Sequence, residues 1–502
     1  MAEKTISIKK NFIMNALLAM SSFIFPMITF PYVSRILGPA GYGKVGFATS
    51  LVSYFNMFAQ LGVPTYGVRA CAKVRDDREK LSRTVKELLT LNLVMSAAAY
   101  AGLFLALLTV PRLREDRLLY LIVSSTILFS AIGMEWLYKG LEQYTYITVR
   151  SLAFKFIALL AMFLLVHAES DYVMYGAISV FAASASGLMN LLHARRYVSL
   201  RGISGCRYTR HFKAVGIFFA MACAATVYTH LDTLMLGFMT TNQDVGYYNA
   251  AVRVKQILVS IVTSLGTVLL PRASYYIEHG QRDAFQRISG KALHFIALTS
   301  IPAACYFILF AEEGIGFLSG SAYRNSVAPM QIIMPTLIFI GLTNIMGIQM
   351  LVPLGREKVV LYSEIAGAVT DLILNFLLIP GMRSAGAAIG TLSAEAVVLI
   401  WQYVSLQDEV RDAFKRIPWK KILTAVPAAG IASVWLKFVL RRDTSWQCFL
   451  VLALSAVLFF GVYAGLLTLE KEPVLLEMEQ TVLGKLIPGK RLRSSGLDED
   501  ET

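Results

Sequence analysis

Charge is scarce in this chain: only 16% of its 502 residues are Asp, Glu, Lys or Arg. A soluble protein carries roughly a quarter charged residues, so the shortage excludes an ordinary soluble domain. Cysteine is scarcer still. Cys71, Cys206, Cys223, Cys305 and Cys448 show neither metal-ligand spacing nor a paired framework, and they read as small apolar fillers or cytoplasmic thiols. No Gly-x-x-x-x-Gly-Lys segment occurs, so direct ATP use is not expected. The loops hold no paired carboxylates, nucleophile elbow or metal cluster, and most are too short for a catalytic domain. An enzyme is therefore disfavoured, and no cofactor or metal is expected.

Apolar residues dominate instead, at 56% of the chain. Stretches of about twenty recur from end to end, each long enough to cross a bilayer core of about 30 Å. Hydropathy predicts about fourteen spans: 11–36, 45–66, 85–109, 118–138, 147–167, 172–193, 214–238, 245–270, 291–311, 327–353, 359–380, 384–406, 422–440 and 447–468. Gly314, Gly316, Pro329 and Pro335 interrupt the pattern around 312–335. Helices are the expected form, because a backbone in lipid must satisfy its own hydrogen bonds. The fold class is an all-α polytopic membrane protein.

The net charge of +14 is distributed by topology rather than gathered for nucleic acid. Lys and Arg pile up in alternate loops: Arg69 to Arg83, Arg195 to Lys213 (Arg201 among them), Arg272 to Arg287, and Arg411 to Lys421. That pattern places both termini and the basic loops in the cytoplasm. Arg112, Arg114 and Arg117 on an outer loop are the exceptions. Lys9 and Lys10 precede an apolar run too long for a signal-peptide core, which is read as a retained first span.

An internal echo organises the chain. Arg35-Ile36-Leu37-Gly38-Pro39-Ala40-Gly41-Tyr42-Gly43 is answered by Met235-Leu236-Gly237 and Gly246-Tyr247-Tyr248-Asn249. Gly176-Ala177-Ile178 is answered by Gly386-Ala387-Ala388-Ile389 at nearly the same offset. Repeats of this kind in a membrane chain point to two related lobes. The expected division is an N-terminal lobe 1–193, a linker 194–213, a C-terminal lobe 214–406, a linker and extra helix pair 407–468, and a tail 469–502 with nothing apolar to bury. The motif glycines read as turns and close helix packing.

Several segments resemble the signature of bacterial polysaccharide transporters. They are Pro31 to Pro39 with Gly41-Tyr42-Gly43, Tyr54-Phe55, Leu61-Gly62, Tyr66-Gly67-Val68-Arg69, Arg75-Asp76-Asp77, Leu231-Asp232, Gly246-Tyr247-Tyr248, and Leu372 to Asn375 through Pro380. These transporters are the O-antigen and exopolysaccharide repeat-unit flippases of the multidrug/oligosaccharidyl-lipid/polysaccharide exporter superfamily. The resemblance implies a V-shaped pair of six-helix lobes around a central cavity, alternating access, and an undecaprenyl-diphosphate-linked oligosaccharide as cargo. It also implies a bacterial inner membrane with its lipids, and a polysaccharide polymerase and chain-length regulator as partners. Multidrug antiporters and peptidoglycan-precursor (lipid II) flippases share the superfamily and are the alternatives.

An ionisable residue within a span is costly and faces a cavity or a partner. Lys155, Arg253 and Lys255 lie deep, with Arg35 and Arg69 nearer span ends. A diphosphate needs cationic donors, and these five are the candidates to hold it. Lys255 is two positions from Arg253 and so off its face. The other role open to Arg253 and Lys255 is ion pairing with Asp371, Glu395 or Asp232; for Arg35 and Arg69 it is snorkelling to the interface. Asp371 and Asn375 share a helix face with Glu364 two turns before, a row suited either to H+ or Na+ coupling or to helix–helix contact. Glu395 has the same two roles. Asp232 follows His230, as in a proton relay or a helix-end anchor. Tyr32, Tyr54, Phe55, Tyr247, Tyr248 and Trp136 read mainly as belt or packing aromatics.

Overall fold

The computed structural model describes residues 8–199 and 205–476. The expectations for Arg201 and for the tail beyond residue 476 lie outside them. All described elements are helical, with no strand among the described residues. Among the described residues, ten helices are long and apolar enough to cross a membrane, or up to twelve if each of two bent pairs is one span. By that measure the fourteen expected spans are not reached.

The two longest helices explain part of the difference. Ile8–Gln60 and Glu357–Ser405 each carry one non-helical residue, Gly38 (φ 61°, ψ 178°) and Arg383 (φ 51°, ψ −127°). At roughly 1.5 Å per residue a straight helix of either length would overrun a 30 Å core twofold or more. The chain instead reverses at Arg383. Gly386 packs on the backbone of Leu378 and Ile379, and Gly390 on the side chains of Asn375 and Asp371. Further along, Gln402 bonds Ser363 at 3.2 Å and Arg356 bonds the Ser405 carbonyl at 3.2 Å. These pairings run in opposite senses, as in a helical hairpin. At Gly38 the chain also turns: the Phe30 and Tyr42 rings, twelve residues apart, lie 5.3 Å centroid to centroid. The left-handed φ of Gly38 suits glycine, since a Cβ there is strained. Two other breaks are bends, one of 42° between Ser264 and Leu269 and one of 45° around Pro335, whose missing N–H interrupts the helix ladder. Ahead of the second, the interrupted stretch forms the short helices Ala311–Leu318, Ser321–Ser326 and Val327–Ile333.

The described chain divides into two compact units. The first comprises the described residues up to Ile257, with Leu318–Met330 and Glu364–Ala394. Within it the two copies of the glycine motif pack on each other. A Cβ on Gly43 would overlap the carbonyl of Asn242, one on Gly246 the carbonyl of Pro39, and one on Gly237 the Phe47 ring. Small residues at these crossings let helix backbones touch, which is how helices gain contact in lipid, where no hydrophobic drive separates them from solvent. Arg112, an exception to the charge rule, has a local reason. It donates to the Gly237 carbonyl at 3.3 Å, the Thr240 carbonyl at 3.4 Å and Asn242 Oδ1 at 3.0 Å, satisfying orphan groups at the end of helix Thr209–Met239.

Charged residues also fasten helix ends in this unit. Asp77 accepts from the N–H groups of Glu79 and Lys80 at 3.0 Å. Those bonds to Lys80, backbone first, then its ammonium, hold the Asp77 carboxyl below its usual range. Glu87 is fully buried and accepts from Arg210 at 2.5 Å and from His211 at 2.8 Å, which fixes the start of helix Thr209–Met239 to helix Arg78–Thr109.

The second unit comprises Leu258–Phe317, Gln331–Ser363 and the described residues from Glu395. Its core joins Leu293, Ile296, Met346 and Met350. Helix Ser445–Leu469 docks on Arg282–Leu309 through Tyr306, which donates to the Leu452 carbonyl at 2.7 Å, and Tyr463, which donates to the Leu298 carbonyl at 2.9 Å. Buried Glu313 pairs with Arg442 at 2.7 Å and Lys437 at 3.1 Å. Large side chains such as Ile431, Phe438, Val457 and Leu469 are three-quarters or more exposed. An apolar surface of this kind faces lipid.

Candidate functional site

A cavity of about 750 Å³ lies within the first unit. Both arms of Ile8–Gln60 line it, with helices Tyr144–Leu165, Thr209–Met239 and Asn242–Glu278. Lys155 and Arg253, two of the predicted cations, meet there. The Lys155 ammonium donates to Ser21 Oγ at 2.8 Å and Ser22 Oγ at 3.1 Å. Arg253 lies against Tyr42 and Tyr175 and reaches Gln256 Oε1 at 3.5 Å. Tyr42 belongs to the glycine motif, so the packed turn supplies part of the cavity wall.

Neither cation is ion-paired among the described residues, so the alternative pairing of Arg253 with Asp371, Glu395 or Asp232 is not seen there. The only carboxylate in the lining, Glu135, is bound to Lys139 at 2.9 Å. Three cations less one carboxylate leave the lining at +2 with His230 neutral. Cations drawn together in a confined space without counter-charge favour an anionic occupant.

The remaining predicted cations lie elsewhere. Lys255 is half-buried and does not line the cavity, as its position off the Arg253 face requires. Arg35 and Arg69 are exposed and also outside the lining, with the Arg35 stem beside Gly320.

Three of the predicted acidic and amide residues converge at a second point of the same unit. Asp232 accepts from Asn375 Nδ2 at 2.6 Å, from Thr391 Oγ1 at 2.8 Å and from the Tyr248 hydroxyl. Tyr248 and Thr391 are themselves 2.9 Å apart. Asp371, one turn before Asn375, shares the Gly390 surface with it, and Tyr54 and Tyr248 both feel the two carboxylates. Asp232, Asp371, Asn375, Tyr248 and Thr391 are all buried. Asn375 Oδ1 and the Tyr54 hydroxyl have no hydrogen-bond partner among the described residues. The set is rich in hard oxygen donors, the type that suits a proton or an alkali cation.

His230 takes no part in this cluster. It turns to Ser50 at 3.3 Å and lines the cavity, whereas Asp232 points the other way. Residues two apart on a helix face nearly opposite sides, so the His230–Asp232 relay does not form. Glu364 is exposed, and Glu395 is buried in the second unit.

Sequence reasoning missed Tyr248 and Thr391 as partners of Asp232. Tyr248 was visible within Gly246-Tyr247-Tyr248 but read as packing, and Thr391 carries no charge to draw attention. The same two helices serve both places. Thr209–Met239 sends His230 and Thr233 to the cavity and Asp232 to the cluster, while Asn242–Glu278 sends Asn249 and Arg253 to the cavity and Tyr248 to the cluster.

Comparison with known proteins bears on this arrangement. Residues 8–277 match the family described as Polysaccharide biosynthesis protein, and residues 217–377 match MatE. Over 406 residues the chain is 25% identical to a candidate O-antigen transporter of Escherichia coli (strain K12), covering 78% of this chain and 95% of that protein. A candidate O-antigen transporter of Shigella dysenteriae is 23% identical over 399 residues, covering 78% and 98%. Among solved structures, the lipid II flippase MurJ in its inward closed conformation superposes with a TM-score of 0.71 at 13% identity, over 91% of this chain and 99% of that one. An inward-facing multidrug resistance MATE family transporter of the MOP superfamily gives 0.60 at 14% identity, over 80% and 99%. At such identities these structures speak to the fold alone. The family match rests on sequence and runs through the packed glycine motifs and the cavity wall over more than half the chain, and the chain belongs to the polysaccharide biosynthesis protein family within the multidrug/oligosaccharidyl-lipid/polysaccharide exporter superfamily.

Proposed function

We propose that this protein is a flippase moving undecaprenyl-diphosphate-linked oligosaccharide repeat units from the cytoplasmic to the outer leaflet of the bacterial inner membrane. The observation that carries the reading is a pair of cations without ionic partners among the described residues, Lys155 and Arg253, in a cavity of about 750 Å³ within a chain of this family. Arg253 and Lys155 hold the diphosphate, the guanidinium through its fork and the ammonium as a point charge. The polyprenyl tail stays in the bilayer. Two lobes, 1–193 and 214–406, rock to open the cavity first inward and then outward, with fourteen spans and both termini cytoplasmic. The surface polymer is completed by a separate polymerase and chain-length regulator.

Coupling to H+ or Na+ runs through Asp232, Asp371 and Asn375. Two buried carboxylates around one amide repel when both ionise, and a bound cation removes the repulsion. Because the helices bearing Asp232 and Tyr248 also bear His230 and Arg253, a shift at the cluster is transmitted to the cavity wall as a movement of those two helices. A multidrug antiporter is the weaker reading, since a lining of +2 opposes cationic drugs.

Complementation separates the readings. Expressed in a strain lacking its O-antigen flippase, the protein should restore surface polysaccharide and leave drug resistance unchanged. Raised resistance to cationic drugs without restored polysaccharide would contradict the flippase reading.

A further inference from the structure

A smaller chamber of about 220 Å³ lies in the first unit and shares Glu135 and Lys139 with the main cavity. Its wall carries three buried donors without an acceptor among the described residues, Arg150 Nε, Trp136 Nε1 and Gln60 Nε2, beside one acceptor without a donor, Asn56 Oδ1. The three residues are only 7%, 3% and 8% exposed.

Hydrogen bonds hold two of the three, Arg150 and Gln60. Arg150 Nη1 donates to Asn190 Oδ1, and its guanidinium sits 5.6 Å from the Tyr146 ring centroid. Asn190 Nδ2 donates in turn to the Gly133 carbonyl at 2.6 Å. Gln60 Oε1 accepts from Asn92 Nδ2 at 3.4 Å, which leaves its N–H groups for the chamber. Glu135 is engaged by Lys139, and Arg150 forms no ion pair among the described residues.

The charge of Glu135 acts on Arg150, but its ion pair is with Lys139, so the buried guanidinium is only partly compensated, and an indole N–H and amide N–H in the same wall can only donate. Three donors and the net charge of +1 left by Arg150, Lys139 and Glu135 favour an oxyanion. A cation is repelled, and a neutral hydroxyl leaves the charge unanswered. The chamber is smaller than the roughly 300–1,000 Å³ usual for drug-sized ligands, so it has room for a single ring or one acidic group. We propose that it is a second, oxyanion-binding subsite that takes a carboxylate or phosphate group carried on a sugar. That the sugar belongs to the cargo's glycan rests on the flippase reading; the oxyanion site itself does not.

The full chain in detergent can be titrated with methyl glucuronide, glucose 1-phosphate, inorganic diphosphate and neutral methyl glucoside. An acidic sugar should bind at least tenfold more tightly than methyl glucoside. Arg150→Gln should weaken that binding tenfold or more. The tighter of the two acidic sugars identifies carboxylate or phosphate as the preferred group. Loss of diphosphate binding in Arg253→Gln alone assigns that anion to the main cavity. Trp136→Phe and Gln60→Glu keep shape while removing a donor or adding negative charge, so both should weaken acidic sugars even if Arg150→Gln does not fold. Equal binding of methyl glucoside, no binding of either acidic sugar, or acidic-sugar binding indifferent to Trp136→Phe and Gln60→Glu would each overturn the proposal. Because the readout is binding without transport, intact acidic-sugar binding beside failed flipping would count against the functional reading only.

Discussion

Replacing Arg253 by Gln should abolish surface polysaccharide while leaving the protein at its normal level in the membrane. The guanidinium faces the cavity beside Tyr42 and Tyr175 and has no carboxylate partner among the described residues, so its removal leaves no buried charge stranded. What is lost is a charge-assisted contact to the diphosphate, about 1.5–3 kcal/mol, or roughly ten- to 150-fold in affinity. Arg253→Lys should recover part of the activity, because the charge remains and the bidentate fork does not. Lys155→Gln should fall in the same direction, with the new amide still able to bond Ser21 and Ser22. Immunoblotting for protein level beside staining for surface polymer reads both. Normal display in both variants would remove the cationic site.

Asp371→Asn should uncouple transport from its ion. The substitution is nearly isosteric, so the Gly390 surface against which the side chain lies should survive. It removes one of the two buried carboxylates around Asn375, and with it the repulsion that a bound cation relieves. Asp232→Asn should be harsher. Asn375, Thr391 and Tyr248 all direct donors at that carboxylate, and an amide nitrogen in place of one oxygen sets donor against donor. In vesicles, ion-driven transport should drop at least tenfold in each variant, while binding of cargo at the cavity persists. Unchanged ion dependence in Asp371→Asn would rule that residue out as the coupling site.

Much of the fold was legible because its signals are long. Apolar stretches about twenty residues in length and alternate basic loops gave the helical membrane class, and the glycine echo identified turns that the structure packs against each other. Reversals were harder to keep distinct from continuous helix. At Gly38 and Arg383 the chain changes direction within a single residue, so span counts by length merge what hydropathy separates. At the site, charge was the readable signal. It singled out Arg253 and Lys155, which line the cavity, and Asp232 and Asp371, the latter with Asn375 one turn on, without indicating that these converge, because that depends on a hairpin and on helices far apart in sequence. The neutral partners Tyr248 and Thr391 gave no comparable signal. Arg150 sits near the start of helix Tyr144–Leu165, where an arginine in sequence looks like an interfacial anchor; only its burial against Asn190 and Tyr146 sets it apart.

The central claim is that cations in this cavity carry an anionic lipid head across the membrane. Its most direct test is a leaflet-exchange assay in proteoliposomes with a fluorescent undecaprenyl-diphosphate glycan quenched from outside. Intact protein should make the inner-leaflet pool accessible, and an Arg253→Gln/Lys155→Gln double variant should return the rate to that of protein-free liposomes. A double variant that flips as fast as the intact protein would contradict the account.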